Sequence, residues 1–196
     1  MRIISGTLGG RRLFPPRNIP ARPTTDVAKV ALFNILSNYI DYESTKYLDL
    51  FSGTGAISFE MYSRGCRDIT MVDLSSISVG FQKKVAEDFN LPKNNVKINK
   101  GDALQFLKNS TQTFDLIFAG PPYALDVIDE LPNRVLEHPN LLAQDGWFVL
   151  ETSQKHKFHD HPHLVQVRNY GQTHFWIFSH QVNEISDEEV ALPKSK

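Results

Sequence analysis

The sequence predicts an α/β fold, a mostly parallel sheet with helices on both faces. Short apolar runs alternate with segments of helical spacing from Tyr47 onward, which is typical of parallel strands joined by right-handed helical crossovers. The alternation then ends in two adjacent strand-like runs, 164–170 and 173–179, separated by Gly171-Gln172. These two runs predict an antiparallel hairpin that completes a seven-stranded sheet.

The chain divides by composition into three parts. Residues 1–25 form a basic arm or short hairpin, interrupted by glycines and prolines, which we do not expect to contribute to a core. Residues 26–182 form the α/β domain, and residues 183–196 form an acidic tail that we expect to be flexible. With 41% hydrophobic residues, the 196-residue chain can bury one sizeable core.

The first helix of the domain follows a proline and a capping residue. Thr25 or Asp26 supplies the cap, and the helix is predicted to run to about Ser37. Apolar residues recur along it at helical spacing, at Val27, Val30, Ala31 and Ile35. After it we expect strands at 47–51, 68–74, 95–102, 114–120 and 146–151, and helices at 56–64, 76–89, 103–109 and 126–136.

Composition excludes several classes of protein. No run approaches the roughly 18 consecutive apolar residues of a membrane span, and the start of the chain lacks the apolar region of a secretory signal. We therefore expect a soluble, cytoplasmic protein with no membrane partner. The single cysteine, Cys66, excludes an internal disulfide or a multi-cysteine metal site and is expected to be a buried thiol.

Charge is unevenly distributed, although the net charge is only −1. The first 22 residues contain no acid and five arginines: Arg2, Arg11, Arg12, Arg17 and Arg22. Arginines presented together attract phosphate through their charge and their forked donors, which favours nucleic-acid binding by this segment. A solvated surface strand or loop is the alternative, because short basic stretches are common on protein surfaces.

A glycine turn follows the first strand of the domain, at DLFSGTGA (49–56). Ligands of open α/β sheets bind beyond the carboxyl ends of the strands, where Gly53 and Gly55 let the chain turn sharply and a ligand approach the backbone. A dinucleotide-binding GxGxxG motif would have glycine where this chain has Ser58. The turn therefore indicates a nucleoside cofactor, and the absent third glycine disfavours a dehydrogenase.

Three acids stand at the predicted ends of successive strands. Asp49 can meet the amino group on the methionine part of a cofactor, Asp73 can accept from both ribose hydroxyls, and Asp102 can accept from the adenine amino group. Together they match S-adenosylmethionine, and Phe51 and Ala103 beside them complete the predicted cofactor site. For each acid taken alone a helix cap is the alternative, above all for Asp102.

The fourth strand of the domain ends at Gly120-Pro121-Pro122-Tyr123. This run resembles the motif of amino-methyltransferases acting on nucleobases or glutamine, in which Asp or Asn precedes Pro-Pro-Tyr or Pro-Pro-Phe. In that motif the acid or amide and the carbonyl of the first proline accept hydrogen bonds from the target amine, and the aromatic ring stacks on the extruded base. Pro121, Pro122 and Tyr123 keep the second acceptor and the ring, whereas Gly120 has no side chain to accept anything.

The missing acid leaves three explanations open. Another acceptor can replace it, such as Asp26 or a water molecule; the protein can bind its ligands without catalysing the reaction; or the sequence is altered at this position. Losing one preorganised hydrogen-bonding group typically costs roughly 10²–10³ in rate, so reduced activity is expected where nothing replaces it. A plain turn is a further alternative for the whole run.

The pattern as a whole resembles the bacterial 16S ribosomal RNA (guanine-N2)-methyltransferase family over about residues 1–180. The matching stretches are RIISGTLGGRRL near the start, RPTTD (22–26), ALFNIL (31–36), LDLFSGTGAISFE (48–60), SRG (63–65), FDLIFAGPPY (114–123) and YG (170–171). The resemblance implies a Rossmann-like class I methyltransferase fold, with residues 26–182 as the methyltransferase domain.

The resemblance also implies a substrate and roles for residues. It implies N2 methylation of one guanine of small-subunit rRNA within an assembled particle, so that 16S rRNA or a small-subunit assembly particle is the partner. We expect the enzyme to be a monomer. Two positions depart from the family: Gly120, where the family has Asp, and Val30, where it usually has Glu. The roles implied are cofactor binding for Asp49, Gly53, Gly55, Asp73 and Asp102, the pocket edge for Thr24 and Asp26, guanine contact for Pro121, Pro122 and Tyr123, and RNA binding for Arg2, Arg11, Arg12 and Arg22.

Three rival functions share parts of this pattern. A nicotinamide oxidoreductase would share the glycine turn and Asp73 but has no use for Pro-Pro-Tyr. A catalytically impaired RNA-binding or ribosome-assembly factor would keep the cofactor pocket without the reaction. A DNA adenine or glutamine amino-methyltransferase is disfavoured by RPTTD and ALFN. The histidine run HKFHDHPH (156–163) has no cysteine or glutamate nearby and lies in a loop away from the strand ends, so we expect no metal site.

Overall fold

A computed structural model describes residues 1–20 and 24–181. Its helices are α1 (Asp26–Leu36), α2 (Ala56–Ser63), α3 (Ser76–Asp88), α4 (Ala103–Asn109) and α5 (Leu131–Leu136). Its strands are β1 (Lys46–Leu50), β2 (Asp68–Asp73), β3 (Val96–Lys100), β4 (Phe114–Ala119), β5 (Leu142–Thr152), β6 (Leu164–Tyr170) and β7 (Thr173–Phe178). Arg22 and the acidic tail 183–196 lie outside the described residues.

The strands form one sheet in the order β3-β2-β1-β4-β5-β7-β6. β1 to β5 run parallel, whereas β7 is antiparallel to both β5 and β6. Gly171 turns the β6–β7 hairpin with a φ of 62°, a left-handed conformation that costs glycine little. The mostly parallel seven-stranded sheet with a carboxyl-terminal antiparallel hairpin is therefore confirmed.

Apolar side chains cover both faces of the sheet. On one face, α1 to α3 pack against Tyr47 and Phe118. On the other face, α4 and α5 pack against Leu48, Leu50 and Ile117. Neighbouring residues of one strand serve opposite faces because strand side chains alternate with a period of two.

The amino-terminal segment contributes to the core, so the expectation that it would not is wrong. Ile3 and Leu8 are buried in the same apolar cluster as α1 and α2. The backbone N–H groups of Ile4 and Ser5 donate to the carboxylate of Glu60 at 2.6 and 3.0 Å. Because an ionised side chain is costly to bury without partners, the segment and the fully buried Glu60 stabilise each other.

Helix α1 begins as predicted but buries a different face. Thr25 caps it, its side chain accepting from a first-turn N–H, yet Val27 and Val30 are 73% and 38% exposed. Lys29 is buried instead because its ammonium group donates to the carbonyl of Arg2 at 2.5 Å. The buried residues of α1 are Ala28, Lys29, Leu32, Phe33 and Leu36.

The helix predicted at 126–136 is shorter than expected. A 3-10 turn covers Ile128–Glu130, and the α-helix begins only at Leu131. Pro132 explains this start, since proline lacks an N–H and fits only the first turn of a helix.

Cys66 is a buried free thiol, as predicted. Within the described ranges, no helix has the length and apolar character needed to cross a membrane.

Candidate active site

A cavity of about 550 Å³ lies at the carboxyl ends of β1, β2, β4 and β5. It adjoins the point where β1 lies between β2 and β4, the position at which open α/β sheets bind their ligands. The structure does not bring Gly55 or Asp26 to its wall. The predicted residues that do line it are Thr24, Asp49, Phe51, Gly53, Asp73, Asp102, Ala103, Gly120, Pro121, Pro122 and Tyr123.

The glycine turn leaves β1 through left-handed backbone. Phe51, Gly53 and Gly55 have φ values of 61°, 53° and 73°, and a non-glycine residue such as Phe51 is strained in this region. The amide of the buried Gln82 on α3 donates to the carbonyl of Gly53 at 2.8 Å and to the hydroxyl of Ser52 at 3.0 Å. The turn is thus fixed from behind, with its cavity side formed by Phe51 and Gly53.

Gly55 does not line the cavity, and its role is in the packing of α2 against β2. A Cβ at this position would lie 2.7 Å from Cε of Met71 and 2.7 Å from Cε2 of Phe59. No carbon fits at that distance, so glycine allows the start of α2 to approach β2. The predicted need for glycine is correct, but its observed cause is the contact between helix and strand.

Asp49 presents a buried carboxyl group to the cavity. Burial raises its pKa to about 7, and the negative charges of Asp73 and Glu151 add to this effect. The hydroxyl of Ser58 donates to Oδ2 at 2.5 Å and favours the ionised form. A carboxyl group in this state gains more from a cationic partner than a solvated one does.

Asp73 ends β2 and connects it to the glycine turn. Its Oδ2 accepts from the backbone N–H of Gly53 at 2.6 Å, and its Oδ1 accepts from that of Ser75 at 2.8 Å. A carboxylate offers about four acceptor positions. Each oxygen of Asp73 can therefore also accept from a ligand hydroxyl at the cavity wall.

Asp102 caps a helix and also lines the cavity. Its Oδ1 accepts from the backbone N–H of Gln105 at 2.9 Å, which makes it the N-cap of α4. Ala103, the next residue, is buried in the cavity wall. The cap that stood as the alternative for Asp102 is present, and it holds the carboxylate at the cavity.

The run Gly120–Tyr123 forms the wall beyond β4. The N–H of Gly120 donates to the carbonyl of Leu50 at 3.3 Å, which joins this wall to the end of β1. Pro121 is buried, whereas the ring of Tyr123 is 38% exposed at the cavity. A buried proline backed by the sheet holds its carbonyl rigidly, and an exposed ring is accessible for stacking.

Glu151, which the sequence reasoning missed, lies in the same cavity. It is only 7% exposed, and its Oε2 accepts from the hydroxyl of Thr24 at 2.7 Å. Its position in the run GWFVLE was a usable signal, since it lies at the carboxyl end of a predicted strand as Asp49 and Asp73 do.

Asp26 lies apart from the cavity that Thr24 lines. Its carboxylate is 3.5 Å from Nε of Arg2 and 3.3 Å from Nζ of Lys29, and these contacts hold it at the start of α1. The expectation that Asp26 edges the pocket therefore does not match the geometry. Val30 also lies outside the cavity wall.

Two of the amino-terminal arginines lie on an exposed pairing close to the cavity. Arg2 and Arg12 face each other across an antiparallel bridge, and both are exposed. Met1 places this pairing near the site, since its Sδ is 3.5 Å from the hydroxyl of Thr54, a cavity residue.

Arg11 lies farther from the cavity. Its guanidinium stacks on the ring of Phe89, 4.9 Å from the centroid. Phe89 is the C-cap of α3, and Ser75, the N-cap at the other end of this helix, lines the cavity. A 13-residue helix is about 20 Å long. The three described RNA-binding candidates are thus divided between two places, Arg2 with Arg12 and Arg11 apart from them, and Arg22 lies outside the described residues.

The histidine run makes contacts with its own surroundings. His156 lies 2.7 Å from Asp129, and Nε2 of His161 lies 2.9 Å from Oδ1 of Asn133. Within residues 1–20 and 24–181, no group of three or more His, Cys, Asp or Glu side chains is placed to hold a metal ion.

Comparison with known proteins identifies the family. Residues 1–179 match the protein family described as "Conserved hypothetical protein 95". Ribosomal RNA small subunit methyltransferase D of Buchnera aphidicola subsp. Acyrthosiphon pisum is 32% identical over 155 residues, which cover 78% of each chain. The protein of the same name from Escherichia coli K12 is 30% identical over 152 residues, 77% of this chain and 71% of that protein.

A solved methyltransferase shares the fold. The 16S rRNA N2 methyltransferase of T. thermophilus, in complex with AdoMet and guanosine, superposes with a TM-score of 0.65 at 19% identity, covering 83% of this chain and 45% of that chain. The Rossmann-like methyltransferase fold and the family resemblance drawn from RPTTD, ALFN and the glycine turn are confirmed. The chain belongs to the family of the ribosomal RNA small subunit methyltransferases D.

Proposed function

We propose that this protein transfers a methyl group from S-adenosylmethionine to the exocyclic N2 of a guanine in 16S rRNA, as a cytoplasmic monomer acting on the small ribosomal subunit. One observation carries the proposal: a single cavity joins the acids at the ends of β1 and β2 to Pro121 and Tyr123 at the end of β4. A cofactor held by the acids would face a base held by the proline and the ring. The relatives' name and the neighbour's AdoMet and guanosine support this assignment.

The chemistry of the cavity wall fits S-adenosylmethionine. Asp49 matches the α-ammonium group, because a buried carboxyl group gains most from a cation. Asp73 matches the ribose hydroxyls, since both of its oxygens lie at the cavity edge of the glycine turn. Asp102 matches the adenine amino group, and the volume of about 550 Å³ lies within the range of small-molecule pockets.

The far wall fits a flat amine-bearing base. When bound, S-adenosylmethionine supplies an electrophilic methyl group on a cationic sulfur. Tyr123 offers a ring face on which an extruded base can stack, a contact worth about 1–3 kcal/mol per base. The carbonyl of Pro121 accepts one N–H of the target amine, which orients the remaining lone pair toward the methyl group.

The exposed arginines fit an RNA partner. Arg2 and Arg12 pair across a backbone bridge, and Met1, the neighbour of Arg2, contacts the cavity residue Thr54. Their positive charge would meet phosphates of the RNA around the target base. Phosphate contacts of this kind give affinity and position without reading sequence. The choice of guanine would then depend on the base pocket and on the shape of the RNA.

A pair of measurements tests the proposed function. Calorimetric titration with adenosylhomocysteine and with NAD separates a methyltransferase from a nicotinamide oxidoreductase. Incubation with methyl-labelled S-adenosylmethionine and small subunits from cells lacking the family enzyme then measures transfer. We expect adenosylhomocysteine binding, no NAD binding and label in 16S rRNA. Adenosylhomocysteine binding without transfer would instead favour the ribosome-assembly factor, and NAD binding would favour the oxidoreductase.

A further inference from the structure

The strand register places Glu151 beside Gly120. β4 and β5 are parallel, with Ala119 aligned to Leu150, so the next residues of the two strands are neighbours. Aligned residues of adjacent strands face the same side of a sheet. A Cβ built on Gly120 would lie 3.9 Å from Oε2 of Glu151. The carboxylate of Glu151 therefore borders the space that a side chain at position 120 would enter.

Glu151 is held in this position from the opposite side. The hydroxyl of Thr24 donates to Oε2 at 2.7 Å, and both residues line the cavity. Glu151 is 7% exposed, so little water competes for its carboxylate. An exocyclic amine bound between Pro121 and Tyr123 would lie in the same cavity as this carboxylate.

We infer that Glu151 is the catalytic carboxylate of this enzyme, taking from β5 the place left empty by Gly120 on β4. The inference rests on the proposed function. In the step it serves, N2 of guanine attacks the methyl carbon, the new N–C bond forms, and the C–S bond breaks with its electron pair remaining on sulfur. The methylated nitrogen releases one proton, which Glu151 accepts and passes to water.

Gly120 and Glu151 are complementary in this arrangement. A Cβ at position 120 would lie 3.3 Å from Cε1 of Phe118, a tight contact. An aspartate there would also bring a second carboxylate against Glu151, and like charges this close disfavour simultaneous ionisation of the pair. Gly120→Asp alone is therefore expected to add no activity, whereas Gly120→Asp together with Glu151→Gln would return a single carboxylate to the site.

The test compares methyl transfer by four forms of the full chain. Relative to the unmodified protein, Glu151→Gln is expected to lose about 10²–10³ in kcat while its Kd for adenosylhomocysteine stays within about twofold, since the amide keeps the shape of the side chain. The kcat of the double variant Gly120→Asp with Glu151→Gln is expected to be at least about tenfold higher than that of Glu151→Gln alone. Glu43→Gln, an exposed position outside the cavity wall, is the matched control and should retain full activity.

Thr24 is tested separately as a positioning residue. Thr24→Val removes the donor to Glu151 and is expected to lower kcat about tenfold. Thr24→Ser keeps the hydroxyl that donates to Glu151 and should retain the rate of the unmodified protein. If the threonine methyl were what mattered, Thr24→Ser would lose activity and Thr24→Val would not.

The outcomes distinguish failure of the proposed function from failure of the role assigned to Glu151. Absence of transfer by the unmodified protein would overturn the proposed function and this inference with it. Full transfer by Glu151→Gln would overturn the inference alone. So would equal inactivity of the single and double variants, or a loss of adenosylhomocysteine binding that accounts for the lost rate.

Discussion

A methyl group at Gly55 should destabilise the fold even though it does not reach the cavity. The residue has a φ of +73°, and a Cβ would lie 2.7 Å from both Met71 and Phe59. Left-handed backbone costs a residue with a Cβ about 1–2 kcal/mol, and overpacking a core costs about 1–3 kcal/mol more. Gly55→Ala is therefore expected to reduce the free energy of unfolding by about 2–5 kcal/mol.

Thermal unfolding followed by circular dichroism measures this effect. For a chain of this size each kcal/mol shifts Tm by about 2–4 °C, so Gly55→Ala should lower Tm by about 4–20 °C. Gly80→Ala is the matched control: Gly80 is exposed within α3, and a Cβ there has nothing within 4 Å. That control should raise stability by about 0.5–1 kcal/mol. An unchanged Tm in Gly55→Ala would refute the packing role assigned to this glycine.

Three further predictions concern ligands. The pKa of Asp49 is raised to about 7, and only its ionised form pairs with the ammonium group. The affinity for adenosylhomocysteine should therefore fall about tenfold per pH unit below 7 and level off above it. Calorimetry from pH 5.5 to 8.5 tests this profile, and Asp49→Asn should abolish the pH dependence. Asp73→Asn should weaken adenosylhomocysteine about 10- to 100-fold, since a donor replaces one acceptor oxygen; an unchanged Kd would remove Asp73 from the ribose site. Charge reversal at Arg2 and Arg12 should weaken binding to small subunits more than reversal at Arg11 does, while cofactor affinity is kept. The salt dependence of binding should fall by about one unit of slope per lost phosphate contact. Equal losses at all three positions would contradict the placement of the Arg11 guanidinium beside Phe89, at the end of α3 far from the cavity.

Periodicity predicted the sheet because its central strands β1, β2 and β4 are apolar runs that the fold buries on both faces. The same signal failed for α1, where Val27 and Val30 are exposed and Lys29 is buried. A single sequence does not show that a carbonyl of the amino-terminal segment accepts from this lysine. The core contribution of Ile3 was missed for the same reason, since it depends on contacts distant in sequence.

The site was predictable where a motif sits at the end of its own strand. Asp49, Asp73 and Gly120 each lie at the carboxyl end of an apolar run, and the sheet brings the three to one cavity. Glu151 depends on which strand lies beside β4, and the register between strands is a property of the folded sheet. The family resemblance implied Asp26 at the pocket edge, but at the start of α1 its carboxylate lies against Arg2 instead.

Identification of the methylated nucleoside tests the central claim most directly. Small subunits lacking the modification would be incubated with the unmodified protein and S-adenosylmethionine, and the digested 16S rRNA analysed by mass spectrometry. The proposed function, with the target base at Pro121 and Tyr123 and its amine at Glu151 in one cavity, predicts N2-methylguanosine at a single position. Unmodified 16S rRNA, or a methyl group on another atom or base, would contradict it.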